Sequence, residues 1–370
     1  MPFPGFPLDP AALTAELLTA AMHEIRPGVI VDHVRVVDTK RCGEGIASTA
    51  DRITLAVEYG SGGSDLPEQL VLKTMLTSPR APVTMYENEV RFYTEIRGTL
   101  VFEAPRLYGR HFDSQHGRFG LLLEDLSLRD ARFPSAPDQL TIAEVESLLD
   151  QMAGLHAAFW RSARFETDLA WLPTPLRGGM ADVFNLIGRD LIVDQVRRHP
   201  EKSAFVAPLD RSLDQLWELL LVAQRAMAAE PSTLLHGDPH LGNTYLLPAG
   251  RAGLLDWQLV GRGCWAHDVT YLLVTGLAPD VRDAEQARLL RRYLDRLGGL
   301  GVDPVPEFEH AWQVCRAAAL WGLMIGWLIT PPANYGWAIT AANLERVATA
   351  VTEFSTVALL EELAARSATR

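Results

Sequence analysis

The sequence predicts an α+β protein in two lobes, a small and largely antiparallel β-sheet followed by a larger helical lobe that holds one short hairpin. Three observations predict it. Apolar residues alternate with a period of two through most of the first third of the chain. Beyond Asp125 the spacing becomes helical, and its one interruption is a pair of short apolar runs around residues 234–260. The expected division is therefore 1–124 for the first lobe and 125–370 for the second, turning on LLLEDL.

Each element follows from its own pattern. PAALTAELLTAAMHEI carries apolar residues at helical spacing and stops at Pro27-Gly28. VIVDHVRVVDTK and DRITLAVEY alternate as strands around a turn, CGEGIAST; the second strand runs through Ile53, Leu55, Val57 and Tyr59. After the loop GSGGSDLPEQ, the stretch QLVLKTML resumes the strand pattern with Lys73 near its end. One helix is expected over TMYENEVRFYTEIRGT, then a hairpin of RLYGRHF and FGLLLEDL joined by DSQHGR. Helices follow over TIAEVESLLDQMAGLHAAFWRS, SLDQLWELLLVAQRAMAAE and DAEQARLLRRYLDRLGG, with further long helices to the C-terminus.

Composition narrows the function. With 48% hydrophobic and 22% charged residues, the chain has enough apolar side chains for a sizeable core. A net charge of -12 argues against nucleic acid or anionic lipid as a partner. The three cysteines, Cys42, Cys264 and Cys315, are far apart and form no CxxC pair, so a reducing, cytoplasmic setting is expected. MPFPGFPLDP lacks the basic start of a secretion signal. AAALWGLMIGWLI is too short to span a bilayer, which takes about 20 apolar residues, and reads as a buried helix.

The chemistry concentrates in LLHGDPHLGNTYLL and the run GLLDWQLV that follows it. Asp238, Asn243 five residues later, and Asp256 at the end of the next apolar run supply three hard oxygen donors of the kind Mg2+ accepts beside nucleotide phosphates. The same spacing occurs in the protein-kinase pattern HRDxxxxN followed by DFG. There the first Asp takes a proton from the substrate hydroxyl, and the Asn and the later Asp hold metal.

HGDPHLGN and LLDWQLVGRGCWAHDVTYLL resemble the catalytic and metal motifs of the aminoglycoside phosphotransferase and choline kinase family, and within it the ecdysteroid-kinase-like and bacterial phosphotransferase branches. The resemblance covers nearly the whole chain. It implies a two-lobed, protein-kinase-like fold and an ATP- and Mg2+-dependent phosphotransferase acting on a small-molecule hydroxyl. Asp238 would be the catalytic base, and Asn243 and Asp256 the metal ligands. Lys73 stands at the family's strand lysine, which neutralises nucleotide phosphates. Its partner on the helix would be Glu89, with Glu87 as the alternative. Gly43 and Gly45 stand where a glycine-rich loop covers the phosphates, and Ser48 occupies the place of the third glycine; the hydroxyls of Ser48 and Thr49 could donate to phosphate oxygens. Backbone groups near Glu124 and Leu126 would meet adenine. Asp268 resembles an aspartate that braces the catalytic loop, and His236 a scaffold residue.

Two other readings compete. His236, Asp238 and His240 alternate and could converge on a metal in a hydrolase. The same fold without turnover would be a nucleotide-binding scaffold. Single residues also have plain explanations: His156 sits on an apolar helix as a satisfied core histidine. Trp160, Trp312, Trp321, Trp327, Tyr335 and Trp337 read mostly as core; any that line a pocket would suit an apolar alcohol, a hydroxyacyl thioester or a choline-like acceptor, whereas an amino sugar would want clustered carboxylates. Oligomeric state is not encoded in any of these patterns.

Overall fold

The computed structural model describes residues 5–41, 49–76 and 81–368. Contacts divide the chain into two compact units: Met1–Thr99 with Ala104–Arg132, and Leu100–Glu103 with Phe133–Arg370.

In the first unit, helix α1 (Ala15–Met22) starts at Thr14, whose hydroxyl accepts from the Leu17 N–H at 3.3 Å. Strands β1 (Ile30–Lys40), β2 (Asp51–Ser61) and β3 (Gln69–Thr74) follow, then helix α2 (Val83–Arg91) and strands β4 (Leu107–Asp113) and β5 (Arg118–Glu124). All five strands form one antiparallel sheet in the order β1-β2-β3-β5-β4. Ile53, Leu55, Leu70, Leu72 and Leu122 are fully buried and share a core with Leu18 and Met22 of α1. Because side chains alternate across a strand, the register that turns Leu72 toward this core turns Lys73 to the opposite face, where it meets α2.

The helix expected over 84–99 is α-helical only to Arg91; a π-turn (Phe92–Ile96) and a 3-10 turn (Arg97–Thr99) complete it. The wider turn places Phe92, Tyr93 and Ile96 all inside.

The second unit begins with α3 (Ile142–Ala158), α4 (Gly179–Val183), α5 (Arg189–Arg198), α6 (Ser203–Val206) and α7 (Leu213–Met227). Four short strands come next: β6 (Ser232–Leu235), β7 (Thr244–Leu246), β8 (Ala252–Leu254) and β9 (Gly261–Cys264). Helices α8 (Ala266–Gly276), α9 (Pro279–Gly299), α10 (Phe308–Trp321), α11 (Pro332–Tyr335), α12 (Trp337–Glu353) and α13 (Thr356–Ala368) complete it. The strands pair as β7–β8, the expected hairpin, and as a second pair, β6–β9.

Packing in this unit centres on Leu216, Leu220, Leu320, Trp327, Leu344 and Val347. AAALWGLMIGWLI is buried there as the end of α10 and a π-segment, Gly322–Leu328. The fully buried Lys202 closes that segment by donating to the carbonyls of Trp327, Leu328 and Thr330 at 3.2, 2.9 and 2.7 Å. Among the described residues no helix is long and apolar enough to cross a membrane.

Candidate active site

In the first unit, the Lys73 ammonium lies 2.8 Å from Oε1 and 2.7 Å from Oε2 of Glu89, and both side chains are buried. A buried charge pair of this kind needs both members: each compensates the other's loss of water. Glu124 ends β5, and its carboxylate accepts from the Arg106 N–H at 3.2 Å and from the Arg129 guanidinium at 3.5 Å. Leu126 opens a 3-10 turn in which its carbonyl accepts from the N–H of Asp130. Asp125 between them accepts from Gln69 at 2.7 Å and caps the turn through the Ser127 N–H. Gly43, Gly45 and Ser48 lie outside the described residues.

In the second unit, the loop after β6 is clamped by one carboxylate on α8. Asp268, fully buried, accepts from the His236 N–H at 2.6 Å through Oδ2 and from the Gly237 N–H at 3.0 Å through Oδ1. His156 of α3 approaches Oδ2 at 3.3 Å, and its other ring nitrogen meets the Tyr293 hydroxyl at 2.7 Å. Burial alone would raise the Asp268 carboxyl, but the His156 hydrogen bond and the neighbouring histidine charges outweigh it and hold the group below its ordinary range. His267 adds a further tie, from Nε2 to the Gly237 carbonyl at 3.0 Å. Gly237 has φ +87°, and a Cβ there would stand 2.0 Å from the Leu259 carbonyl oxygen, so glycine is required.

This clamp presents Asp238. Asn243 donates from Nδ2 to the Asp238 carbonyl at 2.8 Å and to its Oδ2 at 3.1 Å, which leaves Oδ1 of Asn243 as the acceptor. Asp256 follows β8 with φ +67°, a left-handed conformation that aspartate tolerates better than most residues. The Asp238 side chain keeps 23% of its surface open to solvent, yet burial is the main influence on it. Burial first, and then the negative charges of Asp256 and Asp268, raise its carboxyl well above the ordinary range; the hydrogen bonds from Asn243 and Tyr271 act the other way. A divalent cation suits this arrangement: Asp256 and Asn243 offer hard oxygen donors, and positive charge between them would relieve the repulsion on Asp238.

The histidines of HGDPH are committed elsewhere. His236 uses Nε2 with the Leu255 carbonyl at 3.0 Å, and Nδ1 accepts from the Asp238 N–H at 3.2 Å. Nδ1 of His240 accepts from the Gly242 N–H at 3.0 Å. Burial pushes the His240 ring down to about 4, which keeps it neutral. With both ring nitrogens of His236 engaged, the hydrolase reading keeps only His240 Nε2, 3.7 Å from Asp238 Oδ2, of its two histidine ligands.

Aromatic rings surround this loop. His240 packs against Trp327 at 5.5 Å and Tyr335 at 5.6 Å between ring centroids. Tyr271 lies on Gly322 and Gly326, where a Cβ would come within 3.0 and 2.6 Å of its ring and hydroxyl. The two glycines are thus what lets this tyrosine approach the helix. Trp321 and Trp327 are buried, Trp312 packs on Phe354, and Trp337 is exposed. His156 is the satisfied core histidine expected from its helix, and also part of the clamp. His267 and Tyr271 carry no motif of their own in the sequence beyond their place in the α8 run HDVTY, either side of Asp268.

Residues 44–310 match the model of the phosphotransferase enzyme family, APH. The chain belongs to that family, and by this match it is a phosphotransferase. Among solved structures it is similar to an ethanolamine kinase of Plasmodium vivax, with 11% identity, a TM-score of 0.51, and coverage of 88% of this chain and 83% of that one. It is also similar to the gentamicin complex of APH(2″)-IIa, with 13% identity, a TM-score of 0.48 and coverage of 92% and 98%. A microcompartment-associated aminopropanol kinase aligns with 12% identity, a TM-score of 0.45 and coverage of 91% and 95%. Comparison with the curated proteins gives no match. The first of these structures supports the two-lobed α+β kinase-like fold.

Proposed function

We propose that the protein is a small-molecule kinase that moves the γ-phosphate of ATP to a hydroxyl group, with Mg2+ as the metal. The observation that carries this reading is Asp238 hydrogen-bonded to Asn243 on a loop clamped by Asp268, with Asp256 after β8 near enough for its charge to act on Asp238. Asp238 orients the acceptor hydroxyl and takes its proton. Asn243 fixes the Asp238 carboxylate through Nδ2 and, with Asp256, holds the metal. When bound, Mg2+ offsets the charge of the transferring phosphoryl group. Lys73, held in place by Glu89, neutralises the nucleotide phosphates, and the backbone around Glu124 and Leu126 receives the base. Gly43, Gly45 and Ser48 would cover the phosphates. Transfer needs little more from the protein than position and charge stabilisation.

Tyr335, half-buried beside His240, gives a ring to an acceptor with an apolar or choline-like body, whereas Tyr271 and Trp327 behind it belong to the core. The test is incubation with Mg-ATP, and in parallel Mg-GTP, against a panel of apolar alcohols, hydroxyacyl thioesters, amino sugars and amino alcohols, with mass spectrometry to detect added phosphate. Asp238→Ala should keep nucleotide affinity near that of the unaltered protein and lose at least about 100-fold in turnover. Undiminished turnover in that variant sinks the assignment. A protein that binds nucleotide but phosphorylates nothing in the panel, and releases no phosphate, is the scaffold instead.

A further inference from the structure

We propose that the first unit carries a second ligand site, for a small phosphate monoester, in a pocket at the outer edge of its sheet. The pocket has a volume of 510 Å³ and lies where the end of α1, the π- and 3-10 turns after α2, and strand β4 meet. That volume falls within the range of small-molecule sites. Strand β4 is the sheet edge, and β5 separates it from β3 and Lys73; none of the lining residues is among those read above as nucleotide-binding, and the pocket meets that set only where Arg106 bonds Glu124.

Its charge runs against the rest of the chain. In a protein of net charge -12, the described lining includes four arginines, Arg26, Arg97, Arg106 and Arg110, and one carboxylate, Glu24. Asp65, paired with Arg26, and Glu124, bonded to the Arg106 N–H, stand just outside the lining, so an incoming anion competes with carboxylates for these cations, which a dianion does better than a monocarboxylate. Guanidinium groups are suited to phosphate because their planar fork offers two parallel N–H donors. Two of the four are paired with surface carboxylates that an anion can exchange with. Arg110 meets Glu24 at 2.5 Å with 34% and 65% of the side chains exposed, and Arg26 meets Asp65 at 3.4 Å with 42% and 67% exposed. Arg97 is aimed by a hydrogen bond from Nη2 to the Ala104 carbonyl at 3.0 Å.

The remaining wall is apolar and aromatic. Ile25 and Leu107 line it together with the buried rings of Tyr93 and Tyr108. A bare inorganic anion gains nothing from this wall, whereas an ester with an organic body covers what Ile25 and Leu107 leave exposed.

Phenyl phosphate and inorganic phosphate are the probes, titrated calorimetrically into the full-length protein, with benzoate as the monoanionic control. Phenyl phosphate should bind at least tenfold more tightly than either, and Arg26→Gln with Arg110→Gln should weaken it at least tenfold. Equal affinity for phenyl phosphate and inorganic phosphate, or undiminished binding in the double variant, overturns the proposal. Should the variant not fold, phenylglyoxal labelling of the unaltered protein decides: phenyl phosphate should protect Arg26 and Arg110. Protection confined to arginines outside this pocket, or none, also overturns it. These outcomes do not depend on whether the protein transfers phosphate.

Discussion

Asp268→Asn keeps the shape of the clamp and removes its charge. In the native protein each carboxylate oxygen accepts one backbone N–H, at 2.6 Å from His236 and 3.0 Å from Gly237. Asparagine has one acceptor oxygen, so one of those buried N–H groups must face an NH2. A buried donor left without a partner costs about 1–3 kcal/mol, and a surviving hydrogen bond that loses its ionised acceptor costs roughly 1 kcal/mol more. The sum is about 3 kcal/mol at neutral pH. Urea unfolding followed by tryptophan fluorescence reads this cleanly, because all nine tryptophans, Trp160 to Trp337, belong to the second unit. The sign with pH is set by the depressed Asp268 carboxyl. Its stabilising effect is complete above the ordinary carboxylate value, about 3.9, and fades as pH falls below it, so the gap between native protein and variant should narrow in acid. A variant within about 0.5 kcal/mol of the native protein at pH 7 would mean that the loop does not depend on this carboxylate.

Three further perturbations separate the parts. Glu89→Gln leaves the buried Lys73 ammonium without its carboxylate and should destabilise the first unit by about 3–5 kcal/mol, read as faster amide exchange in β3; unchanged exchange contradicts the buried pair. Gly237→Ala forces a Cβ against the Leu259 carbonyl and displaces Asp238; turnover should fall about 100-fold with nucleotide affinity retained, and native turnover would show that the loop can adapt. His240, lowered from 6.5 to about 4, stays neutral in the fold while the unfolded chain takes up a proton. The native protein should therefore lose stability relative to His240→Asn as pH falls from 6.5 to 4, by up to about 3 kcal/mol at 1.36 kcal/mol per pH unit. A flat difference across that range would place a charged ring in the fold.

The sheet was legible because its strands bury alternate residues: the pattern through Ile53, Leu55 and Val57 is the same in the sequence and in the core. The loop from His236 to Asn243 could be picked out because its polar residues follow one another at short range. Local periodicity supplies no contacts between distant segments; Lys73 with Glu89, and Asp268 with the catalytic loop, are expected only from the family resemblance. Asp268 and His156 are 112 residues apart, and no local period links them. Strand β9, Gly261–Cys264, has two glycines in four residues and no alternation, so its pairing with β6 had no signal. The break in the helix after Arg91 was hidden because FYTEI has ordinary helical spacing. Tryptophans were ambiguous for a different reason: the same ring serves core and pocket, and only packing distinguishes buried Trp327 from exposed Trp337.

The segment Leu100–Glu103 is counted with the helical unit although the chain on both sides of it belongs to the sheet. Its members are well anchored there: Phe102 packs edge-on to Trp257 at 5.4 Å, the Glu103 carbonyl accepts from the Leu254 N–H at 3.1 Å, and its carboxylate accepts from the Tyr245 hydroxyl at 2.8 Å. The polypeptide thus crosses from one unit to the other three times. Severing it after Arg132 would strand these four residues on the wrong fragment and strip the hairpin of a neighbour. Homologous recombination of such enzymes by swapping a single contiguous amino-terminal block would separate Glu103 from Tyr245, so chimeras need matched residues at both places.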